Sequence, residues 1–164
     1  MSYTYRGPIQ RPTQSARAAK VTFARISLAK REELLGRVPM FAELKKGQLR
    51  NIARNIETVR YPAREEIVTE GSVGDFCAVI VDGDAEVVRK GKKIAVLGAG
   101  DIFGELAIVD PGPRSAAVRS LTEVTAIKIH QETFAEVVTA DPRISLGIMQ
   151  VLGRRLRETT SRLD

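Results

Sequence analysis

Residues 103–118 read FGELAIVDPGPRSAAV and combine an acid, a base and several small residues within a short stretch. Glu105 follows Gly104, and Arg114 precedes the small residues 115–117. Small residues leave backbone N–H groups uncovered, so a short helical turn that opens at Gly104 would direct free N–H groups towards an anion. The guanidinium of Arg114 would supply a fixed charge and the planar fork that suits phosphate oxygens.

The carboxylate of Glu105 would serve another part of the same ligand. An ionised carboxylate only accepts hydrogen bonds, so sugar hydroxyls are its natural partners. An anion clamp and a hydroxyl acceptor on one small loop together indicate a site for a nucleoside monophosphate. The alternative is that Glu105 and Arg114 form an internal ion pair and that the loop binds nothing.

The same segment resembles the phosphate-binding cassette of the cyclic nucleotide-binding domain family. That family includes regulatory subunits of cyclic-AMP-dependent kinase, cyclic nucleotide-gated channels and bacterial catabolite activator proteins. The resemblance implies that Glu105 takes the ribose 2′-hydroxyl and that Arg114 pairs with the cyclic phosphate, assisted by Ser115 and by backbone N–H groups. The cassette residues expected to bind the ligand are Phe103, Gly104, Glu105, Leu106, Ala107, Arg114, Ser115 and Ala116.

The resemblance also places residues around the base of the nucleotide. Val87, Ile94 and Ala95, from the middle strands, are implied to line an apolar slot for the base. The alternative for each of the three is ordinary core packing. Ser115 is compatible with the adenine binders of the bacterial branch, so cyclic AMP is the expected ligand, with cyclic GMP as the second possibility.

The end of the last helix resembles the long dimer helix of the catabolite activator proteins. The resemblance implies that Thr159 and Thr160 reach the amino edge of adenine, one of them across a dimer. Alternatively, Arg155 would stack on the purine face as a cation over a π system. The alternative is that these residues form a solvated helix end.

Length and composition predict one domain. The chain has 164 residues, of which 43% are apolar, and this is enough for a core of its own. No apolar run approaches the ~20 residues of a membrane-spanning helix, and the N-terminus does not resemble a signal peptide. The single cysteine, Cys77, lies in an apolar run and is expected to be a small buried side chain in a reducing compartment, the cytoplasm.

Charge is distributed unevenly along the chain. Residues 1–31 hold seven of the 26 Lys and Arg residues and no acid, whereas residues 32–164 hold the other 19 and all 20 acidic residues. This predicts a basic N-terminal arm, partly disordered or helical, on a nearly neutral domain. The arm would attract an anionic partner, such as nucleic acid, anionic lipid or an acidic protein. The alternative is an arm that only improves solubility.

The middle of the chain alternates short apolar or β-branched runs with turn signals such as Asp82-Gly83-Asp84 and Lys90-Gly91-Lys92. Strands are predicted at 57–61, 65–69, 76–82, 84–89, 92–97, 116–120 and 123–130. Short antiparallel strands at this spacing predict a mainly β fold, a sandwich or jelly roll with flanking helices. The domain is expected to contain helices at 32–56, a β-roll at 57–130 and C-terminal helices at 131–163.

Helical spacing appears on both sides of the β-roll. Helices are predicted from about Ser15 to Leu35 and over 46–55, and two more follow His130. Asp141-Pro142 suits the start of the last one, with aspartate as cap and proline in the first position. Partner-facing positions recur along this last helix and predict a homodimer. They are Met149, Leu152, Leu156, Thr159 and Leu163.

The sequence gives little support to an enzyme. His130 is the only histidine, so neither a Ser/His/Asp set nor a histidine-based metal cluster can be assembled, and no metal is expected. The segment GAGDIFG at 98–104 lacks the third glycine of a dinucleotide fingerprint in register.

The chain given ends at Asp164, where a DNA-binding helix-turn-helix would begin in the catabolite activators. The expectation is therefore a stand-alone sensor without a DNA-binding domain or transmembrane segment. It would pass ligand binding through its C-terminal helices to a partner protein or subunit. The alternative is an interaction adaptor of the same fold that ignores nucleotides and uses its basic arm.

Overall fold

The computed structural model describes residues 22–23 and 25–161, and this part of the chain contains nine strands and four α-helices. The strands are β1 (Thr22–Phe23), β2 (Glu57–Tyr61), β3 (Glu66–Val68), β4 (Phe76–Asp82), β5 (Ala85–Arg89), β6 (Lys92–Leu97), β7 (Ile102–Phe103), β8 (Ala117–Ser120) and β9 (Val124–His130). The helices are α1 (Leu28–Leu35), α2 (Lys46–Arg54), α3 (Gln131–Ala140) and α4 (Pro142–Ser161). Two short 3₁₀ helices span Pro39–Phe41 and Glu105–Ile108.

The strands form two antiparallel sheets that face each other. One sheet has the order β1-β2-β9-β4-β7, and the other has the order β3-β8-β5-β6. Apolar side chains from both sheets fill the space between them, including Val59, Ile80, Val118 and Ala126. The predicted fold class, a mainly β jelly roll with flanking helices, is confirmed.

A second core lies between the first sheet and the helices. Alternate residues of a strand point to opposite faces, so β9 directs Ala126 into the roll and Ile127 and Ile129 towards the helices. Phe41 and Ile52 are fully buried against them. Strand β9 therefore contributes apolar side chains to both cores, and the site-bearing roll and the helical layer share this strand.

The helix predicted from Ser15 to Leu35 is wrong at Thr22–Phe23, which form β1 and pair with Val59 and Arg60 of β2. A β-branched residue followed by an aromatic one suits a strand that extends an otherwise open sheet edge. Helix α1 begins only at Leu28. Ser27 caps it, with the side-chain oxygen accepting a hydrogen bond of 3.2 Å from the backbone N–H of Lys30.

The start of α4 matches the prediction. Pro142 is its first residue, and the backbone N–H of Arg143 donates to Oδ1 of Asp141 at 3.1 Å. The carboxylate therefore satisfies one of the N–H groups that a helix leaves unpaired at its start. Within residues 25–161, no helix combines the length and the apolar character needed to span a bilayer.

Candidate functional site

The predicted helical turn at Gly104 is present as the 3₁₀ helix Glu105–Ile108, which follows β7 directly. Gly104 occupies its N-cap in the left-handed region, with φ 73°. A Cβ atom at this position would collide with the guanidinium of Arg114 and with the carbonyl oxygen of Phe76. Both the backbone conformation and the lack of space therefore require glycine here.

Backbone hydrogen bonds hold the loop around Arg114 against the loop that precedes β4. The N–H of Arg114 donates to the carbonyl oxygen of Ser72 at 2.7 Å, and its own carbonyl oxygen accepts from the N–H of Gly71 at 2.8 Å. The N–H of Gly74 donates to Gly112 at 2.8 Å. The main chain at Arg114 is thus positioned independently of its side chain.

The guanidinium of Arg114 lies in a narrow slot. Its Nη2 donates to the carbonyl oxygen of Phe76 at 2.6 Å, and its Cζ lies 4.8 Å from the centroid of the Phe76 ring. A Cβ atom at Gly74 would lie 2.6 Å from Nε, so the absence of side chains at Gly74 and Gly104 makes the slot. Burial lowers the pKa of Arg114, and the nearby Asp75 opposes that shift.

The carboxylate of Glu105 contacts the helical layer. Its Oε1 accepts a hydrogen bond of 3.1 Å from the backbone N–H of Met40, in the 3₁₀ helix Pro39–Phe41. Met40 is fully buried in the helical core. A carboxylate offers about four lone-pair sites, and the bond to Met40 is not the only interaction that Glu105 makes. In this structure Glu105 and Arg114 each have a backbone partner of their own.

Two adjoining cavities meet at this loop. The larger has a volume of about 440 Å³ and is lined by Ile102, Phe103, Gly104, Glu105, Leu106, Ala107, Asp110, Gly112, Pro113, Arg114 and Ser115. The smaller, of about 200 Å³, is lined by Val68, Val87, Leu97, Ile102, Phe103, Gly104, Arg114, Ser115, Ala116 and Val118. One end is therefore polar, with a cation and a carboxylate, and the other is formed by apolar strand residues.

Residues 58–141 match the cyclic nucleotide-binding domain family. The chain belongs to this family. A CRP-like cAMP-activated global transcriptional regulator of Mycobacterium tuberculosis is 30% identical over 137 residues, which cover 80% of this chain and 61% of that protein. A cAMP-dependent protein kinase regulatory subunit of Emericella nidulans is 37% identical over 109 residues, or 65% of this chain and 26% of that protein. The chain thus spans less than two thirds of either relative.

A solved structure confirms the fold. The N-terminal domain of a transcriptional regulator from Streptomyces coelicolor A3(2) superposes with a TM-score of 0.76 at 27% identity, covering 80% of this chain and 95% of that one. The cyclic nucleotide-binding domain described here therefore has the jelly roll expected from its sequence, and its cavities lie in the segment where the resemblance to the cassette was noted.

The structure brings most of the predicted ligand-binding residues to the two cavities. The residues that line at least one of them are Phe103, Gly104, Glu105, Leu106, Ala107, Arg114, Ser115, Ala116 and Val87. Their contacts with a nucleotide remain predictions.

Ile94 and Ala95 lie outside the lining of both cavities. The ladder between β5 and β6 pairs Val88 with Lys93 and then Val87 with Ala95, so Ile94 is the extra residue of a β-bulge. Its side chain is 56% exposed. The contacts of Ile94 and Ala95 with the base, which the family resemblance implied, remain predictions.

Of the three residues predicted to reach the base from α4, Thr160 is the one whose side chain the structure describes. The hydroxyl of Thr160 donates to the carbonyl oxygen of Leu156 at 2.9 Å, within its own helix. The side chains of Arg155 and Thr159 lie outside the part of the structure that is described. The roles of these three residues at the base remain predictions.

Sequence reasoning missed four apolar residues of the smaller cavity, Val68, Leu97, Ile102 and Val118. For two of them a signal was available, because residues two apart on a strand share a face. Val118 follows Ala116 by two positions and Leu97 follows Ala95. The slot formed by Gly74 and Phe76 had no such signal, since it depends on contacts between distant loops.

Cys77 belongs to the core between the first sheet and the helices and lines neither cavity. Cys77 is fully buried, as predicted, and burial raises the pKa of its thiol to about 12, so it stays protonated at neutral pH. Across residues 25–161, no cluster of three His, Cys, Asp or Glu side chains is arranged to hold a metal ion.

Proposed function

We propose that this protein senses a 3′,5′-cyclic purine mononucleotide, with cyclic AMP preferred to cyclic GMP. The cyclic phosphate pairs with Arg114 and the ribose 2′-hydroxyl with Glu105. The supporting observation is that both side chains line one cavity, which continues into an apolar cavity between the sheets. Charge, hydroxyl acceptor and apolar surface would then meet the phosphate, the ribose and the base of a nucleotide, respectively.

The apolar cavity receives the base. Val68, Val87, Leu97 and Val118 present aliphatic surface to the flat faces of a purine. Arg155, Thr159 and Thr160 approach the base from α4 after ligand binding, and the threonine hydroxyls accept from the adenine amino group. This last step favours cyclic AMP over cyclic GMP, which has a carbonyl at the corresponding edge.

Signal transmission starts at Glu105. Its hydrogen bond to Met40 connects the cavity to the 3₁₀ helix Pro39–Phe41, and α4 packs against that helix. Ile144 anchors the beginning of α4 in the same core. A ligand that donates a hydrogen bond to Glu105 therefore affects the segment against which α4 packs. The ligand shifts the position of α4 because it binds one arrangement more tightly than the other.

The partner that receives the signal is a second copy of the chain, bound through the exposed face of α4. Helix α4 exposes Leu146, Met149 and Leu156 to solvent, with exposed fractions of 55%, 60% and 68%. Their spacing of three and seven residues places them along one seam. Of the predicted seam, Met149 and Leu156 are exposed, whereas Leu152 packs against the helical core. A homodimer through this face would cover the exposed leucines and methionine.

Replacing Leu156 by serine should weaken this dimer. Each dimer would lose two apolar side chains from the seam, so the dimer dissociation constant should rise about tenfold or more. Sedimentation equilibrium measures it, and Leu121→Ser, at another exposed leucine, is the control. A wild-type protein that stays monomeric at high concentration, with and without cyclic AMP, would rule the dimer out.

Calorimetric titration with cyclic AMP, cyclic GMP and linear 5′-AMP tests the proposal as a whole. Saturable binding of cyclic AMP is expected, and the nucleotide should be recovered unchanged, since a sensor does not consume its ligand. If no cyclic nucleotide binds, the proposal fails and the adaptor alternative gains support. In that case a partner whose capture depends on residues 1–31 is expected. We place the protein in the cytoplasm, where Cys77 would stay reduced.

Replacing Glu105 by glutamine should weaken cyclic AMP binding by roughly five- to thirtyfold, because a charge-assisted hydrogen bond becomes a neutral one. The amide oxygen still accepts from Met40, so folding should be unaffected. The control is a ligand: 2′-deoxy cyclic AMP should bind the wild type and Glu105→Gln equally. An equal loss for both nucleotides would show that Glu105 does not recognise the 2′-hydroxyl.

A further inference from the structure

Phe76, the first residue of β4, lies next to two cationic side chains. The Cζ of Arg114 is 4.8 Å and the Nζ of Lys128 is 4.0 Å from the centroid of its ring. The face of an aromatic ring carries negative charge and attracts cations within about 6 Å. The ring also packs edge-on to Phe103, with centroids 6.5 Å apart and an interplanar angle of 77°.

Lys128 occupies an unusual place for a lysine. It lies on β9, where Val124 and Ala126 point into the roll, and alternate strand residues share a face. Lys128 therefore points into the same interior, beyond the apolar core. Desolvation lowers the pKa of its ammonium group, and Glu57 and Asp75 counter that effect. Lys128 is only partly buried, but a cation that loses part of its hydration is costly unless other groups compensate.

The two cations also affect each other. Repulsion from Arg114 further lowers the pKa of Lys128. Burial removes part of the hydration of both the ammonium and the guanidinium group. A monoanion bound at Arg114 would relieve that repulsion, so the pair of cations favours a phosphate more than Arg114 alone would.

We propose that Lys128 and Phe76 position Arg114 for the cyclic phosphate and that Lys128 adds a second positive charge behind it. Neither residue lines the cavities, so both act through the guanidinium as positioning residues. Phe76 supplies the ring and the carbonyl oxygen that hold Arg114, and Lys128 and Phe103 hold the ring. This inference rests on the proposed function.

Lys128→Met should raise the Kd for cyclic AMP about three- to tenfold at low ionic strength, since one positive charge near the phosphate is lost. The loss should shrink as salt is added, because salt screens the attraction between the Lys128 ammonium group and the phosphate. Lys128→Arg, which keeps a cation over the ring, should retain the wild-type affinity. The matched control is Lys46→Met, which removes the same charge from the exposed start of α2.

Adenosine separates positioning of the phosphate clamp from a merely structural role. It carries the base and ribose without a phosphate, so Lys128→Met should leave its binding, followed by NMR titration, unchanged. An equal loss of adenosine and cyclic AMP would overturn the proposal. If Lys128→Met does not fold, Phe76→Leu tests the same contact, and it too should lower affinity for cyclic AMP and spare adenosine.

The outcomes distinguish this inference from the function on which it rests. If the wild type binds no cyclic nucleotide, both are wrong. If the wild type binds cyclic AMP and Lys128→Met or Phe76→Leu binds it as tightly as Lys46→Met does, the sensor function stands and the positioning role of Lys128 and Phe76 is wrong.

Discussion

Replacing Arg114 by alanine will weaken cyclic AMP binding by roughly a hundred- to several-thousand-fold while the β-roll stays folded. The guanidinium is the group on the cavity wall that carries a fixed positive charge and a planar pair of donors. Without it, the cyclic phosphate would lose its water and gain no ionic partner in return. That loss corresponds to about 3–5 kcal/mol of binding free energy.

Folding should survive this change because the main chain at Arg114 has its own restraints. Its N–H donates to Ser72 and its carbonyl oxygen accepts from Gly71, and alanine keeps both bonds. The side chain contributes one hydrogen bond to Phe76, at the cost of a partly desolvated charge. The free energy of unfolding should therefore fall by only about 1 kcal/mol.

Two further variants make the result specific. Arg114→Lys keeps the charge and loses the fork, so its affinity for cyclic AMP should lie between those of the wild type and Arg114→Ala. Arg119→Ala removes a half-exposed arginine from neighbouring β8, where it pairs with Glu66 and Glu86, and should bind as the wild type does. Calorimetry gives the affinities and thermal unfolding the stability. Wild-type affinity in Arg114→Ala would contradict the assigned phosphate site.

The helical turn at Gly104 was predictable because its signal is local. Gly104, Glu105 and Arg114 lie within eleven residues, and each is a residue type that the proposed chemistry requires. The strands from β2 to β9 were likewise predicted to within a residue or two, except for β7, because glycine turns separate their apolar runs. Strand β7 has only two residues and no alternation to detect.

The parts of the site that escaped prediction depend on contacts between distant segments. Phe76 meets Arg114 only because the loop before β4 hydrogen-bonds to the cassette loop. The bulge at Ile94 follows from pairing between strands and has no composition of its own. Met40 reaches Glu105 across 65 positions of sequence. Local patterns carry no information about such pairings, and so the link from the cavity to the helices emerged only from the structure.

Replacing Gly104 by alanine should both destabilise the domain and abolish tight cyclic AMP binding. A non-glycine residue in the left-handed region costs about 1–2 kcal/mol. Here the new Cβ would also press on the guanidinium of Arg114 and on the carbonyl oxygen of Phe76. The free energy of unfolding should fall by about 2–4 kcal/mol in total. The affinity should approach that of Arg114→Ala, because the guanidinium must leave its slot.

Gly91 provides the matched control for backbone strain. Its φ of 74° is nearly that of Gly104, and a Cβ there meets nothing within 4 Å. Gly91→Ala should therefore show the conformational cost alone, with cyclic AMP affinity intact. Gly74→Ala tests the steric effect alone. The backbone of Gly74 is not in the left-handed region, but a Cβ there would lie 2.6 Å from Nε of Arg114. It should weaken binding. Chemical denaturation measures the stability and calorimetry the affinity. If Gly104→Ala loses no more stability and no more affinity than Gly91→Ala, the close packing of Gly104 against the guanidinium does not position Arg114 for the phosphate.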